Sequence, residues 1–181
     1  MKETITELKK EIDRLSSLVD YDFLTGVYNR AGFLKEAKKF MEEFRKSSSK
    51  EKRKFAIKNL FIIFSDLNNL KAVNDLYGHK AGDAYIKACV GVFKNSLREI
   101  DIIGRWGGDE FVIGLININK ADAQKVVSKL KDKLSGTYAP NTGNKLRLSV
   151  SFGVYPAFKS SNINQLIHKA DKKMYRDKRK K

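Results

Sequence analysis

The stretch GRWGGDEFVIG, residues 104–114, places two glycines and two adjacent acids between two apolar runs. Apolar runs that flank a short glycine-containing segment predict a strand–turn–strand, and four residues lie at its tip: Gly107, Gly108, Asp109 and Glu110. Because glycine has no side chain, a phosphate can approach the backbone N–H groups of such a tip. Carboxylates are ligands for hard cations such as Mg²⁺. The sequence therefore predicts a metal and phosphate site at this tip.

A third acid, Asp66, lies at the carboxyl end of the most hydrophobic predicted strand, NLFIIFSDL. In sheets flanked by helices, ligands collect at such strand ends. If the hairpin tip pairs alongside this strand, Asp66, Asp109 and Glu110 meet at one sheet edge and form a Mg²⁺–phosphate site. For any one of these acids taken alone, a solvated or turn-forming role is the simpler interpretation. The chain has no P-loop, dinucleotide-binding turn, HExxH or serine-elbow motif.

The composition favours an anionic partner. The 181 residues include 37 Lys and Arg against 21 Asp and Glu, which gives a net charge of +16. Such a charge attracts nucleotides, nucleic acid or an acidic membrane surface, and a solvated lysine-rich surface is the alternative. Because the chain lacks the interleaved aromatic and basic residues of an RNA-reading sheet, no specific nucleic acid is predicted as a partner.

Cysteine content and hydropathy favour a cytoplasmic location. The one cysteine, Cys89, excludes an internal disulfide, and its apolar neighbours at helical spacing place it in the core. The N-terminus is too polar for a signal peptide, and the longest apolar run, residues 60–64, is far too short to span a bilayer. A tether to the inner membrane would have to lie upstream of this chain.

The elements that must position these residues follow from hydrophobic periodicity. Helices are predicted at about 30–46, 70–76, 80–97, 120–134 and 163–179, and strands at 59–67, in the central hairpin, and at 145–154. Their irregular alternation predicts a mixed sheet covered by helices, within the α+β class.

A separate polar helix is predicted over residues 1–20. Its apolar residues are spaced three and four apart, as in the seam of a coiled coil: Ile5, Leu8, Ile12, Leu15 and Val19. A helix docked on its own domain is the alternative, since an isolated helix this short is marginal in water. The predicted division is therefore a signalling and dimerisation helix, residues 1–20, followed by a catalytic domain, residues 21–181.

Four motifs in order resemble the GGDEF-domain diguanylate cyclase family over roughly residues 20–178. DFLTGVYNR resembles the family's DxLTGLxNR, and SDLNNLKAVNDLYGHKAGDAYI resembles its DxDxFKxxNDxxGHxxGD block. RWGGDEF is the signature, and HKADKKMYRDK resembles the closing ADxxLYxAK. Four motifs at compatible spacings are far more specific than the signature alone.

This resemblance implies a fold and an activity. Family members are similar to nucleotidyl cyclases and polymerase palm domains, with a central, mostly antiparallel sheet surrounded by helices. They join two GTP molecules into cyclic di-GMP and release pyrophosphate, and each protomer of a homodimer holds one GTP. Cyclic di-GMP also inhibits the enzyme, and an upstream sensor domain outside this chain is expected.

The resemblance also assigns residues to the metal and to catalysis. Mg²⁺ is expected as two ions per half-site, with Mn²⁺ as a substitute, at four ligands: Asp66, the Leu67 carbonyl, Asp109 and Glu110. Asp109 or Glu110 would assist deprotonation of the attacking 3′-hydroxyl, and Lys71 would contact phosphate.

Further residues match the family's substrate and product contacts. Asn74 and Asp83 match the pair that reads guanine, and the other substrate-binding positions are His79, Gly107, Gly108 and Lys178. An RxxD pair, Arg98 and Asp101, precedes the signature at the spacing of the family's inhibitory product site. A solvated ion pair at a helix end is the alternative for these two residues.

Two positions depart from the family pattern, since Asn68 replaces the second aspartate of DxD and Leu70 replaces a phenylalanine. Neither is an expected metal ligand. The family's C-terminal Gly-Arg-Asn segment does not follow Lys181, so one phosphate-contacting arginine is expected to be missing. A non-catalytic module that binds GTP or cyclic di-GMP is the alternative function. Loss of a signature acid, Lys71 or Asp83 would favour it, and all of these residues are present.

Overall fold

The computed structural model describes residues 4, 15, 19–47 and 56–179. Residues 4, 15, 19 and 20 are helical, whereas most of the predicted N-terminal helix, including Ile5, Leu8 and Ile12, lies outside the described residues. Leu15 and Val19 are exposed. The coiled-coil role of residues 1–20 and the domain boundary after residue 20 therefore stay predictions.

The described residues form an α+β domain, as predicted. The helices are α1 (Arg30–Lys46), α2 (Leu70–Tyr77), α3 (His79–Lys94), α4 (Lys120–Gly136) and α5 (Ile163–Lys178). The strands are β1 (Leu60–Leu67), β2 (Ile102–Arg105), β3 (Glu110–Ile116) and β4 (Val150–Pro156). They form one four-stranded sheet in the order β2-β3-β1-β4, and every adjacent pair is antiparallel. The expectation of a mixed sheet was wrong for these strands, and a parallel pairing occurs at the isolated bridge between Tyr28 and Gly104.

Strand β1 lies between β3 and β4, and all eight of its residues are buried. Because successive side chains of a strand point to opposite faces, Ile62 and Ile63 enter different hydrophobic clusters. One cluster joins the sheet to α3 and α4, and the other joins it to α1 and α5. This burial on both faces explains the continuous hydrophobic run that predicted the strand.

Asparagine side chains begin three of the helices. Asn29 accepts a hydrogen bond from the Gly32 N–H at α1, and Asn119 and Asn162 act in the same way at α4 and α5. Such caps satisfy N–H groups that the helix itself leaves unpaired. The helix boundaries agree with the sequence predictions within a few residues, and the largest difference is at α3, which ends at Lys94 instead of residue 97.

The predicted strand at 145–154 begins only at Val150. The residues before it bond locally to the segment after α4, where the Ala139 N–H donates to the Leu146 carbonyl at 2.7 Å and the Leu148 N–H donates to the Thr137 carbonyl at 2.9 Å. Residues 146–148 therefore bond to a neighbouring segment outside the sheet, whereas the Ser149 carbonyl accepts from the Asn68 N–H at 2.8 Å, just beyond the end of β1.

Helix α5 packs directly against β4. A Cβ on Gly153 would lie 2.0 Å from the Ala170 carbonyl oxygen and 2.2 Å from the Met174 nitrogen, so the helix and strand backbones are in contact there. On the side of β4 away from β1, the Phe152 N–H donates to Asp177 Oδ2 at 3.1 Å. Lys173 Nζ donates to the Val154 carbonyl at 3.0 Å.

At the other side of the sheet, residues before α1 cover β2. The Tyr28 N–H donates to the Ile103 carbonyl at 3.1 Å, and the Arg105 N–H donates to the Tyr28 carbonyl at 2.7 Å. Cys89 is fully buried, as predicted. No helix within the described ranges combines the length and the apolar character needed to cross a membrane.

Candidate active site

The pairing of β1 with β3 brings the predicted acids together. Asp66 lies directly opposite Glu110 in the register, and the Leu67 N–H donates to the Asp109 carbonyl at 2.9 Å. Residues directly opposite in an antiparallel pair point to the same face. The expectation that the hairpin tip pairs beside the strand carrying Asp66 is therefore confirmed.

The acids influence one another electrostatically. The pKa of the Glu110 carboxyl is raised, first by burial and then by the neighbouring carboxylates of Asp109, Asp66 and Asp171, while the Lys178 ammonium opposes the rise. Burial and like charges both disfavour the ionised form of a carboxyl group. A cation bound at this place would relieve the repulsion among these groups.

Asp171 of α5 is a member of this group that the sequence analysis did not single out. It lies in the closing motif, 61 residues after Glu110, and only the packing of α5 brings it to the acids. Both residues line a cavity of about 400 Å³ whose other walls come from α1, β1, β2–β3 and α5: Arg30, Leu34, Phe64, Trp106, Asn164, Ile167 and His168. The motif ADxxLYxAK was the available signal for Asp171.

Lys178, at the end of α5, reaches the first acid. Its Nζ donates to Asp66 Oδ1 at 2.6 Å, and the side chains are 42% and 12% exposed, respectively. The structure therefore pairs Lys178, which was expected to bind substrate, with Asp66, which was expected to bind metal. The two residues are 112 positions apart, so their pairing depends entirely on the fold.

The oxygen donors at this place suit Mg²⁺. Asp66, Asp109 and Glu110 supply carboxylates, and the Leu67 carbonyl is a further oxygen next to them in the chain. Within the described ranges, no group of three or more His, Cys, Asp or Glu side chains is arranged to hold a metal ion. Mg²⁺ is commonly bound by one or two carboxylates together with substrate phosphates and water, so this set fits the ion without forming a complete protein cage.

The hairpin tip is held by residues outside it. Arg105 Nη2 donates to the Gly108 carbonyl at 2.8 Å, and its Nη1 lies 3.2 Å from both oxygens of Asp22. Thr25 Oγ1 donates to the same carboxylate at 2.6 Å. Asp22 and Arg105 were not singled out from the sequence, although each lies in a quoted motif. They link the segment that precedes α1 to the tip.

The two glycines of the tip differ in their surroundings. A Cβ on Gly108 would meet no atom of the described residues within 4 Å, whereas a Cβ on Gly107 would lie 2.9 Å from Glu110 Oε2. Packing therefore does not require a glycine at position 108. This open position leaves the backbone accessible to a ligand.

The residues expected to bind substrate lie on α2 and α3. Lys71 is exposed in the first turn of α2, and Asn74 is half-buried one turn later. His79 and Asp83 are exposed and four residues apart on α3, so they share one helix face. The N-cap of α2 makes no side-chain hydrogen bond, which leaves the first N–H groups of α2 without that cap.

Asn68, one of the departures from the family pattern, is explained by its hydrogen bonds. Its Nδ2 donates to Ser149 Oγ at 2.9 Å, and its Oδ1 accepts from Ser151 Oγ at 3.0 Å. The side chain is buried, and a neutral amide supplies both the donor and the acceptor that these serines use. Position 68 therefore has a structural role here.

Arg98 and Asp101 lie at the opposite end of β3 from the acids. Arg98 Nη2 donates to Asp101 Oδ1 at 2.9 Å and to the Ile116 carbonyl at 2.5 Å. The Ile116 N–H donates to Asp101 Oδ1 at 3.0 Å. The Asp101 side chain is 2% exposed and that of Arg98 is 50% exposed. Only the arginine thus presents a large surface to a ligand, about 20 Å along the strand from Glu110.

The sequence and the fold were both compared with known proteins. Residues 19–181 match the sequence profile of the family described as "Diguanylate cyclase, GGDEF domain". YtrP of Bacillus subtilis strain 168, named an uncharacterised protein, is 32% identical over 169 residues, which cover 92% of this chain and 26% of YtrP. DgcC of Escherichia coli K12, named a probable diguanylate cyclase, is 28% identical over 178 residues, which cover 98% of this chain and 45% of DgcC. The chain thus spans less than half the length of these relatives.

Two solved structures share the fold. The coiled coil and GGDEF domain of DgcB from Caulobacter crescentus, in complex with c-di-GMP, aligns with a TM-score of 0.85 at 18% identity, covering 99% of this chain and 91% of that chain. A sensory box/GGDEF family protein from Caulobacter crescentus CB15 aligns with a TM-score of 0.76 at 26% identity, covering 90% of this chain and 99% of that chain.

Proposed function

The chain belongs to the diguanylate cyclase GGDEF domain family, and from this we propose that it condenses two GTP molecules into cyclic di-GMP and releases pyrophosphate. The observation that carries the proposal is the pairing of Asp66 with Glu110 beside an open glycine tip. This arrangement offers carboxylates for a cation and bare backbone for phosphate within one short segment.

We assign the metal to Asp66, Asp109, Glu110 and the Leu67 carbonyl, with two Mg²⁺ ions per half-site and Mn²⁺ as a substitute. When bound, Mg²⁺ neutralises charge that develops on the phosphates during displacement at the α-phosphorus. Asp109 or Glu110 accepts the proton of the attacking 3′-hydroxyl. Burial and the neighbouring carboxylates raise the pKa of the Glu110 carboxyl, so a cation held beside it would favour the ionised form, which is the form that accepts a proton.

Two lysines are assigned to the triphosphate. Lys71 is exposed at the start of α2, where uncapped backbone N–H groups also favour an anion. Lys178 pairs with Asp66 and can exchange that carboxylate oxygen for a phosphate oxygen. Gly107 and Gly108 allow the phosphates to approach the backbone of the tip.

Guanine is assigned to α2 and α3. The Asp83 carboxylate can accept hydrogen bonds from both the N1–H and the exocyclic amine of guanine, an edge that adenine does not offer. Asn74 contributes its amide from the neighbouring helix, and His79 orders the connection between the two helices. GTP is therefore the proposed substrate.

One GTP per domain means that the reaction needs two copies of the domain face to face. We propose a homodimer, with the helix of residues 1–20 as its connection and with a sensor domain upstream in the whole protein. Cyclic di-GMP is proposed to inhibit by binding at Arg98 and Asp101, which holds the two half-sites in a nonproductive arrangement.

The direct test is incubation of the purified chain with GTP and Mg²⁺, followed by identification of the product by mass. Asp109→Ala should lower the rate of cyclic di-GMP formation by about 100-fold or more, because it removes a metal ligand and a candidate base. Asp132→Ala is the matched control, since Asp132 is an exposed acid on α4. Full activity of Asp109→Ala would contradict the proposal. GTP binding without any product would instead identify a non-catalytic module.

A further inference from the structure

Gly82 lies within α3 at a place where a side chain from another helix occupies the space of its missing Cβ. A Cβ built there would lie 1.8 Å from Asn74 Oδ1 and 2.9 Å from Asn74 Cγ. Gly82 is buried, and its φ is outside the left-handed region. The backbone conformation therefore does not require glycine, but the approach of the Asn74 amide does.

Glycine has a cost at this position. In a helix interior it is less favourable than alanine, because it loses more backbone entropy on folding. Gly91 of the same helix shows the contrast, because a Cβ there would meet no atom of the described residues within 4 Å. Close contact with Asn74 thus distinguishes position 82 from another glycine in the same helix.

The contact places the Asn74 amide against the residue that precedes Asp83 in α3. Asn74 belongs to α2, whereas Asp83 is the residue after Gly82 on α3 and is exposed. An amide that rests on the Gly82 backbone is therefore held beside the residue that precedes Asp83. Without this contact, the distance between the Asn74 amide and Asp83 would depend only on how α2 and α3 are placed relative to each other.

We propose that Gly82 is a specificity-determining positioning residue, which seats the Asn74 amide next to Asp83 so that both read one guanine base. This inference rests on the proposed function. In this proposal Gly82 touches neither the base nor a phosphate. It acts by leaving room for the Asn74 side chain.

Substitution at position 82 should move the amide and spare the fold. The atom that an added Cβ would strike first is the end of a flexible side chain. That oxygen must retreat from 1.8 Å to an ordinary contact of 3.4 Å or more. A shift of this size is enough to break a hydrogen bond to the base, which is worth about tenfold in binding.

The test measures binding of unreactive nucleotides by calorimetry in the presence of Mg²⁺. The probes are the α,β-methylene analogues of GTP and ATP, and the variants are Gly82→Ala, Asn74→Ala, their combination, and Gly91→Ala as the matched control. We expect Gly82→Ala to reduce the preference for guanine over adenine about tenfold, with thermal stability equal to or above that of the unmodified chain. Gly91→Ala should leave the preference unchanged.

The double variant shows whether Gly82 acts through Asn74. Once Asn74 is truncated, an added Cβ has nothing to displace, so the double variant should lose no more selectivity than Asn74→Ala alone. The double variant also removes the steric conflict, so it reports on the proposal if Gly82→Ala itself folds poorly.

The outcomes separate this inference from the proposed function. A guanine preference that survives Gly82→Ala, or additive losses in the double variant, would overturn the role of Gly82 alone. Equal binding of both nucleotides by the unmodified chain would overturn this inference and the assignment of GTP together.

Discussion

Asp101 and Arg98 illustrate how two residues of one motif can have different roles. Asp101 is almost fully buried and accepts hydrogen bonds from the Ile116 N–H and from the Arg98 guanidinium. Its bonds hold the turn at residues 98–101 against the end of β3. Half of the Arg98 side chain is exposed, so arginine is the residue with surface for a phosphate or a guanine edge.

Arg98→Ala should therefore remove product inhibition. Without the guanidinium, added cyclic di-GMP should no longer lower the rate, and purified protein should no longer retain it. The measurement is the ratio of rates with and without added product, which cancels any change in the rate itself. Lys125→Ala, which removes an exposed cation on α4, is the control. Equal ratios for the unmodified and Arg98→Ala proteins would show that the motif is only a charged turn.

The residues of the candidate site were predictable to different degrees. The positions of Asp66, Asp109 and Glu110 were predictable, because a strand end and a hairpin tip are local sequence patterns. The pairing of β1 with β3 then brings these two places together. Asp171 and the Lys178–Asp66 pair did not follow, because they depend on how α5 crosses the sheet. Sequence spacing along one helix contains no information about which distant carboxylate that helix meets.

At the scale of elements, the contact between α5 and β4 determines where Asp171 and Lys178 lie relative to the sheet. A Cβ on Gly153 would strike the backbone of α5, and backbone atoms cannot rotate away as the Asn74 amide can. The whole helix would have to shift, and it carries both Asp171 and Lys178. Gly153→Ala should therefore destabilise the domain, whereas Gly82→Ala should not.

Gly153→Ala should destabilise the domain by about 1–3 kcal/mol through overpacking. In a domain of this size the thermal midpoint should fall by roughly 2–12 °C, and cyclic di-GMP synthesis should fall with it even below the new midpoint. Thermal unfolding and GTP turnover measure the two effects. Gly136→Ala at the end of α4, where a Cβ meets no atom of the described residues, is the control. An unchanged midpoint for Gly153→Ala would contradict the close backbone packing.

The fold itself was largely predictable, since periodicity located the helices and the buried strand. The strand expected at 145–154 was wrong in its first half for a physical reason. Alternating burial indicates that a segment is extended with one face covered, but it does not identify the partner. Residues 146–148 pair with the segment that follows α4, and strand β4 of the sheet begins at Val150.

At the scale of the whole molecule, the proposed reaction needs two domains. Pairing of the proposed N-terminal helices would hold the second domain nearby and raise its effective concentration, so that activity would depend less on dilution. A chain without residues 1–19 should therefore lose specific activity as it is diluted, while the full chain retains it. Cyclic di-GMP formation per mole of protein across a hundredfold dilution series measures this. Identical dilution profiles would show that the N-terminal helix has another role.

Both outer edges of the sheet are partly covered by other groups of the same chain. The backbone of Tyr28 bonds to the outer side of β2, and the side chains of Lys173 and Asp177 bond to the outer side of β4. Exposed strand edges recruit extended segments from other chains, which leads to aggregation or to peptide capture. Because this chain's own groups occupy both edges at these positions, crowding many copies together should not start edge-to-edge polymerisation there. Contacts between copies at these positions would therefore involve helices and loops instead of strand edges.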